Sequence, residues 1–113
     1  MDLLTGAAVL GHVLGAAAAG ATPAQESRAD DVAGAVNAAM TTRLDWPVDR
    51  VPTAGELVDL EAAGLAAAAE LWRARDTVGN TQSGPAARAV GDWLAPAEPA
   101  IARHREGSAG NFG

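Results

Sequence analysis

Apolar side chains recur at helical spacing along most of the chain, and prolines and glycines divide the pattern into four pieces. The clearest repeat is Val32, Val36 and Met40, which places one apolar stripe on one face of an α-helix while Arg28, Asp30, Asp31 and Asn37 fall on positions expected to stay in water. The start of this helix is marked by Thr22-Pro23-Ala24-Gln25. Threonine stands at the cap, proline at the first helical position and glutamine at the third, a capping box with the favoured proline placement. Its end is expected near Arg43. Upstream, Thr5 can cap a short first helix carrying Val9, Leu10, Val13 and Leu14, with Gly15 as its stop.

Between the second and third helices lies Leu44-Asp45-Trp46-Pro47-Val48-Asp49-Arg50-Val51-Pro52. Each proline biases its predecessor away from helix and neither donates a backbone hydrogen bond, so this is an extended connector, and Trp46 is expected to fold back as a lid over the helix ends. Thr53-Ala54-Gly55-Glu56 repeats the capping box and opens the longest helix, predicted from Ala54 to about Val78. It bears two apolar stripes. Leu57, Leu60, Gly64, Ala67, Leu71 and Ala74 form one, and Val58, Leu65, Ala68 and Trp72 the other. A face this wide suits either the central helix of a bundle or a helix whose second stripe meets another copy. Val78-Gly79-Asn80 reads as a turn leading to a polar loop that runs to Pro85. Trp93 follows in a late Asp-Trp-Leu-Ala-Pro segment, Ala97 to Glu106 can form a final short helix, and Gly107 to Gly113 is expected to be mobile in isolation. The fold class is therefore all-α: a small helical bundle over 1–95 with one long central helix, and an extended C-terminal tail over 96–113.

Composition narrows the picture. The chain has 113 residues, enough for one domain, yet its 49% hydrophobic content is mostly alanine and only 4% is aromatic, so the core is thin and neighbouring subunits are a natural supplement. The net charge is −6, and all eight basic residues are arginine. That balance argues against a general basic surface for nucleic acid, which works by displacing counterions from phosphates. Absence of cysteine removes disulfides and thiolate chemistry. The apolar run from Leu3 to Gln25 lacks the basic start of a signal peptide and is broken by Gly6, Gly11, Gly15 and Gly20, so neither export nor membrane insertion is expected.

Catalytic constellations are not evident. His12 and His104 stand far apart and outside any HExxH spacing, Ser27, Ser83 and Ser108 lack the glycine context of a nucleophile elbow, and no glycine-rich turn follows a strand. The reading is of a non-enzymatic protein with no cofactor and no metal. Arg73 and Arg75 flank Trp72 on different sides of the long helix. They can reach carboxylates of neighbouring chains, or pair within the helix with Glu70 or Asp76.

Taken in order, the segments LLTGAAVLGHVLG, DDVAGAVNAAMTTRL, DWPVDRVP, a long alanine-rich helix ending AAELWRARDTVGN, and DWLAP with IARHRE resemble the head-to-tail connector, or adaptor, proteins of long-tailed bacteriophages. Ala69, Leu71, Trp72, Arg73, Arg75 and Gly79 match the way that family's third element closes. The resemblance implies a structural virion protein, assembled in the bacterial host cytoplasm and located in the neck. It would form a dodecameric ring of like subunits that docks on the portal, extends the DNA channel and receives the next neck or tail-completion protein. Duplex DNA would pass without specific binding and no membrane would be involved. Under that reading Arg103, Arg105 and Phe112 are expected to dock on the portal. Trp46, Trp72, Arg73, Arg75 and Trp93 would anchor the core or the subunit contacts, and Asp30, Asp31, Asp45 and Asp49 would line the channel as acids that repel phosphate. The alternatives are a secreted helical-hairpin protein of an actinobacterial specialised secretion system, whose Trp-x-Gly turn is missing here, and a small all-helical enzyme of the chorismate mutase kind, whose pocket arginines would have to converge.

Overall fold

The computed structural model describes residues 3–80 and 93–105, with backbone alone for 75–80. The fold is all-α, with no strand among the described residues. Helix α1 spans Gly6–Leu14, α2 Pro23–Leu44, α3 Ala54–Asn80 and α4 Glu98–His104, and 3-10 turns cover Gly15–Gly20 and Ala95–Ala97.

Local chemistry explains the boundaries. Thr5 accepts a hydrogen bond from the Ala8 amide at 3.1 Å, and Gly15 closes α1 with a positive φ of 58°, a conformation that glycine adopts without steric cost. Both capping boxes form. The Thr22 amide donates to Gln25 Oε1 at 2.8 Å and the Gln25 amide to Thr22 Oγ1 at 3.1 Å, while Thr53 and Glu56 exchange the same pair at 2.9 and 3.2 Å. Helix α2 ends where Asp45 enters the left-handed region at φ 53°, its amide bonded to the Thr41 carbonyl. Helix α3 continues two residues past Val78, through Gly79 and Asn80, where the sequence suggested a turn. A single glycine costs a helix only about 1 kcal/mol relative to alanine, less than is needed to stop it.

Helices α1 and α3 both pack on α2, and α4 rests against α2 and α3. Val9, Val32, Val36, Met40, Leu44, Leu60, Leu71 and Ile101 form the buried centre. The short final helix expected from Ala97 forms as α4, and Ala97, Ala100 and Ile101 are buried in the same core, so the bundle runs past position 95. Ile101 anchors it, since burying an aliphatic side chain of that size contributes about 1.5–3 kcal/mol.

Two polar residues expected in water are drawn inward. Asn37 is buried, and its Oδ1 accepts from the amides of Leu3 (3.0 Å) and Leu4 (2.9 Å) while its Nδ2 donates to the Leu4 carbonyl at 2.9 Å. These bonds seat the N-terminal Leu3 and Leu4 in the core. Arg28 is half-buried and lies over the Trp72 ring, 4.1 Å from its centroid, with Nη2 donating to the Trp72 carbonyl at 2.6 Å.

Gly64 is a close approach point. A β-carbon there would lie 3.2 Å from Met40 Sδ and 3.3 Å from Leu4 Cδ1. Gly64→Val is therefore expected to destabilise by about 1–3 kcal/mol through overpacking. An unchanged urea midpoint would mean that α3 and the Leu4 side chain do not meet there.

Candidate functional site

Among the described residues, a polar cluster lies where the connector, the first turns of α3 and the end of α4 converge. Glu56, held in place by its capping box, presents Oε2 to Arg50 Nη2 at 2.7 Å. Arg50 in turn lies flat on Trp46, its guanidinium carbon 3.6 Å from the ring centroid. The Trp46 indole N–H donates to the His104 carbonyl at 2.6 Å. One turn beyond Glu56, Asp59 receives two groups from α4. Arg103 Nη2 approaches both carboxylate oxygens at 2.9 and 3.0 Å, and His104 Nε2 lies 2.6 Å from Oδ2. His104 Nδ1 faces Glu56 Oε2 at 3.9 Å. Trp46 is thus half-buried against the core as a lid, and what it covers is the end of α4.

Both carboxyls are held below their ordinary range. For Asp59 the His104 hydrogen bond is the main cause and the Arg103 guanidinium the next. For Glu56 it is the Thr53 amide, followed by Arg50. A carboxyl with a lowered folded pKa binds its proton less readily folded than unfolded, so its contribution is complete above the ordinary values of 3.8 and 4.5 and is lost as pH falls through the lower folded values. The Asp59→Asn, Glu56→Gln double variant is expected to show a flatter loss of stability below about pH 4.5 than the parent, read from urea midpoints at successive pH values. Parallel acid limbs would remove both carboxylates from the account.

Chemically the cluster is a clasp. Histidine between carboxylates can orient a proton, and the one hydroxyl these contacts include, Thr53 Oγ1, accepts from the Glu56 amide as a helix cap. Among the described residues no three histidine, aspartate or glutamate side chains are arranged to hold a metal ion. No helix among them is long and apolar enough to cross a membrane.

The other singled-out residues scatter over the bundle. Trp72 is buried and Trp93 is half-buried against the core. Arg73 pairs with Glu70 one turn earlier on α3, the intrahelical option, and the Arg75 side chain lies outside the described residues. The cation on Trp72 comes instead from α2, as Arg28. Arg103 is engaged by Asp59 yet 57% exposed at its side chain, Arg105 is exposed, and Phe112 lies outside the described residues. Of the four acids, Asp30 sits against α1. A β-carbon on Gly6 would collide with its carboxylate, which places that charge at the partial positive end of the helix. Asp31, Asp45 and Asp49 are exposed. Asp30 and Asp31 are separated from Asp45 by about 21–23 Å along α2, so the structure does not gather the four acids into one group.

The Asp59–His104 contact joins residues 45 apart in sequence, and nothing in local spacing announces it. The available signal was the charge pattern Glu56, Asp59 on one helix opposite Arg103, His104 on another. No family model matches the chain, and no curated protein or solved structure shows significant similarity to it.

Proposed function

We propose that the chain is a structural protein of the virion neck, a head-to-tail adaptor that assembles as a ring on the portal and extends the DNA channel toward the tail. The observation that carries this reading is apolar surface left exposed: Val48 and Val51 on the connector and Leu57 and Val58 in the first turns of α3 are exposed in a chain with few large apolar residues to spare. Exposed large apolar side chains of this kind are suited to contact with a partner or a second copy. The order of segments that resembles the phage adaptors supports the same assignment, as does an acidic exterior over which duplex DNA would slide without adhering.

Sedimentation velocity of the purified protein, alone and with the portal protein of its genomic neighbourhood, tests the proposal. A monomer or weak oligomer alone and a ring with portal is the expected result. Mixing with duplex DNA at low salt should produce no co-sedimenting complex. The helical-hairpin alternative draws on one feature, the long α2 and α3 packed together and joined by a short connector. It requires a tight antiparallel dimer indifferent to portal.

A further inference from the structure

Helix α4 is attached to the molecule by means different from those that join α1, α2 and α3. It has only 7 residues, Glu98–His104, and no side chain caps its start. A helix this short does not hold its shape alone in water, so α4 is helical because it is docked on α2 and α3. Its apolar share of that docking is small. Of the largest fully buried side chains Ile101 alone belongs to α4, and Ala97 and Ala100 add little area. The polar ties therefore weigh heavily, and most are ionic: Arg43 Nη2 to Glu98 Oε2 at 2.6 Å, Arg103 on both oxygens of Asp59, and His104 on Asp59 Oδ2. The Trp46 indole N–H on the His104 carbonyl is a neutral tie.

In the body formed by α1, α2 and α3, Asn37 holds the main chain of Leu3 and Leu4, Arg28 donates to the Trp72 carbonyl, and Val9, Val32, Val36, Met40, Leu60 and Leu71 fill the centre. None of these groups changes charge between neutral pH and acid. Asp30, exposed against the start of α1, is the exception. The titrating groups gather instead around Asp59. From α4 it faces Arg103 and His104. Glu56 stands one turn earlier on its own helix, 3.9 Å from His104 Nδ1, and holds Arg50 of the connector. In acid the two carboxyls lose their charge while the cations keep theirs. Arg50, Arg103 and His104 are then left together without a counter-charge, and attraction turns to repulsion. The direction follows from Asp59, whose pKa is lowered by the His104 hydrogen bond and then by Arg103. Its contribution is complete above the ordinary value of 3.8 and is lost as pH falls through the lower docked value.

We infer that α4 is an acid-released latch: a proton on Asp59 frees α4 from the bundle while α1, α2 and α3 stay folded, uncovering the apolar surface of α2 and α3 on which Ile101 rests. Such release is a local opening, of the kind that few buried apolar contacts permit. It is a property of the single chain and holds whether or not the chain assembles on a portal.

The sequence supplies two clean probes. Ile101 is the only isoleucine of the chain, and Met40, one of two methionines, is buried in the body against Gly64. Methyl labelling of isoleucine and methionine in the whole chain therefore reports α4 and the body separately by NMR. In a titration from about pH 7 to about pH 2.5, the docked Ile101 signal is expected to fall by more than half at a pH where the Met40 signal is unchanged. Asp59→Asn should show a severalfold smaller ratio of docked to released Ile101 at neutral pH, with Met40 native and the acid step reduced. Glu98→Gln, which removes the other carboxylate tie, should keep the step. Loss of the Ile101 and Met40 signals together, or an Ile101 signal that stays docked to the lowest pH, overturns the inference. So does an acid step unchanged in Asp59→Asn or absent from Glu98→Gln, either of which gives control of α4 to a different carboxyl.

Discussion

Asn37→Leu is expected to lower the stability of the folded chain by about 3–5 kcal/mol, a large loss for a single substitution on a helix. The side chain satisfies three main-chain groups at once, the amides of Leu3 and Leu4 and the Leu4 carbonyl. Each group left buried without a partner costs about 1–3 kcal/mol, and the extra apolar surface of leucine offsets part of the sum. Small domains are stable by only about 5–15 kcal/mol, so the change would be plain in a urea melt. Asn37→Asp separates the bonds. It keeps an acceptor for both amides but loses the donor to the Leu4 carbonyl and sets a carboxylate oxygen near it, so it should fall between the parent and Asn37→Leu. A loss below about 1 kcal/mol for Asn37→Leu would show that Leu3 and Leu4 are not seated by this residue.

That prediction was not available from the sequence, for a physical reason. Asn37 is flanked by the buried Val36 and the exposed Ala38, and helical periodicity places it at the edge of the apolar stripe. An edge position can be wet or dry according to what lies across from it. What lies across is the N-terminal segment preceding α1, whose two amides have no helical partner of their own. Arg28 is the same case on the other side of the stripe: its long aliphatic stem lets the charged group reach Trp72 although its position reads as polar. Features set by neighbours in sequence were legible. The three caps at Thr5, Thr22 and Thr53, the proline-bearing connector and the all-α class all depend on groups within four residues of each other. The clasp of Asp59 with Arg103 and His104 depends on how α4 docks, and that is decided by Ile101 and Ala100 finding the core. A short helix in a proline-punctuated segment carries too little periodicity to announce such docking.

The docking of α4 changes what a C-terminal truncation can test. Removing Ala102 to Gly113 would take away the tail together with the Arg103 and His104 contacts to Asp59 and the carbonyl that accepts from Trp46. A half-buried indole N–H left without its acceptor costs about 1–2 kcal/mol, so this variant should melt on the order of 5–10 °C below the parent. Removing only Glu106 to Gly113 leaves every described contact in place, and its melting temperature should match the parent's. The two variants therefore separate folding from attachment. If Phe112 and its neighbours dock on the portal, the shorter deletion alone should abolish attachment and yield DNA-filled heads without tails, despite an intact bundle. Fixing each docked residue costs roughly 1–2 kcal/mol of conformational entropy, so attachment by this segment requires several simultaneous contacts and should be lost abruptly as it is shortened. Normal virions from the Glu106 to Gly113 deletion, with tailless heads from the longer one, would move the portal contact onto the folded body. Arg103 would then be the first residue to test, because its guanidinium is anchored by Asp59 and still more than half exposed.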